Sequence, residues 1–166
     1  MLTTQYAKAP SNIRGNAADA GYAATVLNGN NADLPLSITG IGLLTAAWLL
    51  VATVNFELCP TVEAATAYVG LAPYPRESGA VRSRGRPALG HGGHRRLRTA
   101  LYLATLSAAQ HNPPIKTFYE RLKANGKPKK VARCAAARKL LHLAWAVVRS
   151  GRTFDPTYRQ DMLVAA

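Results

Sequence analysis

Ser78 stands between Glu77 and Gly79, and six arginines follow it within twenty residues: Arg82, Arg84, Arg86, Arg95, Arg96 and Arg98. A serine can attack a phosphodiester when its hydroxyl is exposed, a base takes its proton and the phosphorane charge is neutralised. Gly79 removes bulk beside the hydroxyl, and arginines supply forked donors that match phosphate oxygens. Glu77, His91 and His94 are the candidates for proton transfer. The run from Arg76 to Arg98 holds seven arginines, two histidines, five glycines and one carboxylate, Glu77. It cannot be a buried core element, because it carries too few partners for its charges. Arg82, Arg84 and Arg86 alternate, so an extended strand would put all three on one face. The residues alone allow either a solvated basic loop or a phosphate-backbone site, and their clustering favours the second.

The elements around this run must position it. A helix is predicted from His94 to His111, with Arg95, Arg96 and Arg98 at its positive end, a conflict that a bound anion would relieve. Leu97, Ala100, Leu101, Leu103, Ala104, Leu106 and Ala108 nearly surround it, predicting burial from its second turn onward. Asn112 can cap a helix that opens with Pro113 and Pro114, carries Phe118, Tyr119 and Leu122, and stops at Asn125-Gly126. A last helix runs from Pro128 to Ser150-Gly151, with Val131, Cys134, Ala137, Leu141, Trp145 and Val148 as its apolar stripe. Lys127, Lys129, Lys130 and Arg133 cluster at its start; Arg138 falls close to the stripe and Lys139 outside it.

Upstream, Thr61 can cap a helix through Val69 with Glu63 in its first turn, ended by Gly70-Leu71-Ala72-Pro73. Ile41 to Val54 is the longest nearly unbroken apolar run, too short to span a bilayer and read as a buried helix. Gly40-Ile41-Gly42 before it resembles the hairpin of a helix-hairpin-helix unit, in which backbone N–H groups reach a DNA phosphate; a plain turn reads equally well. Residues 1–33 carry no catalytic signal and read as a weakly ordered arm, with a short helix over 17–27 and a turn over 28–31. The expected fold is mainly α: a helix-hairpin-helix-like unit, a basic loop or short β-hairpin around Arg82 to Arg86, then three helices. The boundaries are an arm over 1–33, a domain over 34–152 and a tail over 153–166.

The 166 residues carry a net charge of +13, with a pI of about 10.4. Residues 78–152 hold seventeen basic side chains and one acidic, a net +16, while the residues before and after them are slightly acidic. So localised a charge points to a polyanion face. Cys59 and Cys134 give neither a disulfide framework nor a C-x-x-C zinc pattern, and His91 with His94 is too little for a zinc site. No signal peptide is legible in Met1 to Pro10. The expected location is the cytoplasm, at the nucleoid.

Several segments together resemble one family in order and spacing. They are Ile38-Thr39-Gly40-Ile41-Gly42 with Thr45-Ala46, Tyr68-Val69-Gly70-Leu71-Ala72-Pro73, Glu77-Ser78-Gly79, Gly92-Gly93-His94-Arg95-Arg96-Leu97-Arg98, Val131-Ala132, and Ala137-Arg138-Lys139-Leu140-Leu141. The family is the C-terminal serine domain of insertion-sequence transposases of the 110/116/902 type, and the match spans residues 34–152. The resemblance implies DNA transposition by strand exchange, with Ser78 matching the serine that becomes covalently attached to DNA. On the chemistry of the residues, the expected phosphate contacts are Gly40, Gly42, Arg82, Arg84, Arg86, Arg95, Arg96, Arg98, Lys129, Lys130, Arg138 and Lys139. The resemblance also implies an N-terminal domain with four metal-binding acids, an element-encoded guide RNA and a full-length homo-oligomer. Thr39 stands where the family commonly has proline, and His91 and His94 where lysine and asparagine are common. Residues 1–33 hold only Asp19 and Asp33 as acids. The chain is therefore expected to be a truncated form, inactive alone, with no cofactor of its own and a divalent metal only in the four-acid domain. A non-catalytic DNA-binding remnant is the alternative. An RNA-binding structural protein is less favoured, because the sequence offers no exposed aromatic platforms.

Overall fold

Capping chemistry that is local in sequence sets most helix boundaries. The computed structural model describes residues 33–74, 88–89 and 92–157. It is mainly α, with helices α1 Asp33–Leu36, α2 Leu43–Thr53, α3 Val62–Val69, α4 Arg95–His111, α5 Pro113–Ala124 and α6 Lys129–Ser150. Among the described residues one antiparallel pair, β1 Pro73–Tyr74 and β2 Ala88–Leu89, aligns Pro73 with Leu89 and Tyr74 with Ala88. Thr61 accepts the Ala64 N–H as N-cap of α3, with Glu63 in the first turn, and Gly70 closes that helix in the left-handed region. Asn112 accepts the Ile115 N–H to start α5, and Gly151 ends α6.

α4, α5 and α6 pack on one another; α2 lies against α4, while α1 and α3 lie against α6. The core between them is built from Ile38, Leu49, Leu50, Leu97, Leu101, Ile115, Leu140 and Leu141, all buried. Val54, Asn55 and Phe56 adopt φ of 51°, 54° and 62°, a left-handed turn that costs non-glycine residues about 1 kcal/mol or more each. It is held by full burial of Phe56, by Thr53 Oγ1 accepting the Phe56 N–H at 2.9 Å, and by Trp145 Nε1 donating to Cys59 O at 2.9 Å.

Three sequence readings need amendment. α4 is not buried all round: Leu103 and Leu106 are 56% and 40% exposed, because neighbours cover only the face carrying Leu97, Leu101, Ala104 and Ala108. On α6 the buried stripe runs through Ala132, Ala136, Leu140, Ala144 and Val147 beside Ala137, Leu141 and Val148, whereas Val131 is 53% exposed. α1, a single turn, was not anticipated. It is followed by a turn and then α2, at the place read as helix-hairpin-helix-like. Of the arm read over 1–33, Asp33 opens α1 and residues 1–32 lie outside the described residues, as does the strand around Arg82 to Arg86. Past residue 152 the chain folds back, with Phe154 N donating to Ser37 Oγ at 2.8 Å.

Candidate nucleic-acid interface

The start of α4 meets the end of α3 at a crossing of two glycines. Gly70 and Gly93 adopt φ of +78° and +87°, and a Cβ on either would run into the other segment's backbone. Across this crossing His94 N donates to Tyr68 O at 2.8 Å. Arg98 Nη1 donates to Gly92 O at 2.8 Å and to Gly70 O at 3.3 Å. Three residues after Gly70 and three before Gly92, β1 and β2 pair, so Tyr74 and Ala88, which bracket residues 75–87, are held against each other.

His94 is the N-cap of α4, its Nδ1 accepting the Leu97 N–H at 3.1 Å. Its ring stacks on Tyr68 and lies tilted against Trp48, with centroids 6.1 and 5.9 Å away. Burial, aided by the nearby charge of Arg96, holds its pKa below the ordinary imidazole value despite its backbone hydrogen bond. Because Nδ1 accepts in the cap, the neutral ring carries its hydrogen on Nε2, which is left as a hydrogen-bond donor. Arg96 lies over the Trp48 ring at 5.8 Å, and Arg95 is exposed at the first helical position.

α6 begins at the same end of the bundle. The Arg98 charge reaches Cys134, opposing the rise that burial imposes on that thiol. Arg133 hydrogen-bonds the side chains of Tyr102 and Tyr119, which hold its pKa above the ordinary guanidinium value. Two positive helix ends, bearing Arg95, Arg96, Lys129 and Lys130, therefore stand side by side. All four side chains are exposed and suited to phosphate.

The other predicted positions are spread out. Gly40 and Gly42 lie at the opposite end of α4. Gly40 has φ of +103°, and a Cβ there would meet Ala108, so its glycine is explained by helix packing. Gly42 is the exposed N-cap of α2, without a side-chain cap bond, and nothing lies within 4 Å of a Cβ placed on it. Thirteen residues separate Arg95 from Ala108, about 20 Å along the helix. Arg138 and Lys139 lie half-buried midway along α6, with Lys139 Nζ over Phe118 at 4.9 Å. Ser78, Glu77, Arg82, Arg84, Arg86 and His91 lie outside the described residues. Among the described residues no group of three or more His, Cys, Asp or Glu stands ready to hold a metal, and no helix is long and apolar enough to cross a membrane. The sequence reading missed Trp48, Tyr68 and the Arg133–Tyr102–Tyr119 cluster, since none carries a local signal beyond an aromatic at helical spacing. His94, read as the first residue of the helix, is instead its N-cap.

A helical domain with two basic helix starts at one end, one of them tied down by a crossing of two glycines, is the class these features define. The sequence pattern of the Transposase IS116/IS110/IS902 family matches residues 32–120, more than half of the chain, and the chain belongs to that family. The insertion element IS110 uncharacterized 43.6 kDa protein of Streptomyces coelicolor is 32% identical over 131 residues, 78% of this chain and 32% of that protein. The pilin gene-inverting protein of Moraxella bovis is 34% identical over 127 residues, 76% of this chain and 39% of that protein. The insertion element IS900 uncharacterized 42 kDa protein of Mycobacterium paratuberculosis is 32% identical over 127 residues, 76% of this chain and 31% of that protein. The chain thus spans roughly a third of the length of these curated relatives.

Proposed function

We propose that the chain binds duplex DNA through its basic end and serves strand exchange in insertion-sequence transposition or inversion, with Ser78 as nucleophile. The observation that carries this reading is the clustering of the exposed Arg95, Arg96, Lys129 and Lys130 at two neighbouring helix starts, next to the Gly70–Gly93 crossing. Ser78 Oγ would form a bond to phosphorus as the bond from phosphorus to a deoxyribose oxygen breaks; the departing oxygen takes up a proton. Attack by a deoxyribose hydroxyl of another strand would reverse the step and restore free serine. Bond energy is kept in the phosphoserine link, so no nucleotide cofactor is required. An element-encoded guide RNA, a longer chain's four-acid domain and a homo-oligomer belong to the same proposal as parts of the working assembly.

The test is to trap a covalent protein–DNA adduct with the acid-bearing domain and guide RNA of a relative supplied in trans. Ser78→Ala should abolish the adduct and leave DNA binding nearly unchanged, while Ser83→Ala should retain it. An adduct that survives Ser78→Ala, or one lost only in Ser83→Ala, would remove Ser78 from this role.

A further inference from the structure

Residues 113–139 carry nine basic side chains and one carboxylate, Glu120. A solvated face would leave such cations extended into water. Here several are laid against aromatic groups at the seam between α5 and α6. Arg121 lies over the Phe118 ring at 5.4 Å, with Lys139 over the same ring at 4.9 Å, and Lys123 lies over Tyr119 at 5.6 Å. A guanidinium or ammonium held this way keeps its charge, has already lost part of its rotamer freedom, and can still direct N–H donors outward. Side chains fixed in that manner suit a phosphate backbone. The cations sit over the half-buried rings of Phe118 and Tyr119, so those rings are poorly placed to stack on unpaired bases. A duplex, whose bases are already stacked, is the nucleic acid such a seam fits.

The seam also faces away from the start of the glycine crossing. Arg96 touches Trp48 of α2, whereas Tyr102 faces Arg133 of α6. Six residues apart on α4, these two side chains point about 120° apart around the helix axis. Arg133 also meets Tyr119 of α5, so α2 flanks α4 on one side and the α5–α6 pair on another, and one straight duplex would not follow both faces.

We infer that the α5–α6 seam, with Arg121, Lys123 and Lys139 against Phe118 and Tyr119, is a second duplex-binding face that holds a DNA segment other than the one at the start of α4. The inference rests on the DNA-binding reading above and adds a place for the other partner of a strand exchange.

The experiment is a bridging assay on the full chain: one short duplex immobilised, a second labelled duplex free, and capture of the second read as a function of protein. Wild type should bridge. Arg121→Gln with Lys123→Gln, both on the exposed side of α5, should lower bridging roughly tenfold, as loss of about two phosphate contacts would. The same variant should keep its affinity for a single duplex within about twofold, since the α4 end still binds. Unchanged bridging in the folded variant would overturn the inference, as would equal loss of bridging and single-duplex binding. So would a seam that captures a structured RNA hairpin in place of the second duplex. Absence of any duplex binding by wild type would instead remove the DNA-binding reading itself.

Discussion

The two ends of α4 were both candidates for phosphate contact, yet they are held by different physics. At the start, Gly70 and Gly93 cross backbone to backbone, Arg98 ties the crossing together, and the remaining basic side chains face outward. At the far end, Gly40 is pressed against Ala108, and the buried Asn112 donates from Nδ2 to Thr39 O at 3.0 Å while capping α5. Leu43 and Leu44 are 60% and 62% exposed there, and no basic side chain stands among residues 34–44. Similar glycine-rich signatures thus mark a loop anchor surrounded by charge in one place and a helix-packing turn in the other. A glycine motif acquires meaning from what approaches it.

Breaking either crossing should have the largest effect. Gly93→Ala and Gly40→Ala each force a left-handed residue and a steric conflict, which together cost roughly 3 kcal/mol. Urea denaturation should register both. Gly42→Ala, with an ordinary φ and open space, should change stability by no more than about 0.5 kcal/mol. A Gly93→Ala protein as stable as wild type would mean the crossing is looser than described.

Asn112→Ala removes a cap and a buried tie between α5 and the Gly40 turn, and should cost about 2 kcal/mol. Its effect should fall on stability alone, with duplex affinity of the folded protein unchanged.

Acid should loosen the α4 start. The folded protein holds His94 and His142 below the ordinary imidazole value of 6.5, chiefly by burial. The unfolded chain therefore binds more protons in the window just below that value. The associated stability is complete above it and is lost as pH falls towards the folded values. For His94 the reason is direct, because protonating Nδ1 removes the acceptor that caps Leu97. His94→Asn retains a capping side chain without the titration and should flatten the stability profile between pH 7 and 5, leaving only the part owed to His142. An unaltered profile would assign the whole acid response elsewhere.

The helix ends were legible because capping is written within four residues: Thr61, Asn112, Gly70 and Gly151 act on their immediate neighbours. Burial was less legible because it depends on which partner covers a face. Leu103 and Val131 read as core by spacing and are exposed because no described helix covers them. Arg98 read as a phosphate ligand, but one of its guanidinium nitrogens is engaged by two backbone carbonyls, a tertiary contact with no signature in sequence spacing. The clustering of Arg95, Arg96, Lys129 and Lys130 was half visible: each pair sits at a predicted helix start, but only packing sets the two starts side by side.

The central claim is that this shared helix start binds the DNA backbone. It is tested most directly by the salt dependence of duplex affinity for wild type, for Arg95→Gln with Arg96→Gln, and for Gly42→Val. The claim requires a steep fall of log affinity with log salt in wild type. The arginine pair should make the slope shallower by about two, and weaken binding alike for unrelated duplex sequences. Gly42→Val tests the far end: a full wild-type slope leaves Gly40-Ile41-Gly42 as a structural turn, and a reduced one adds it as a phosphate contact. A wild-type slope near zero, or one that the arginine pair leaves unchanged, would contradict the claim.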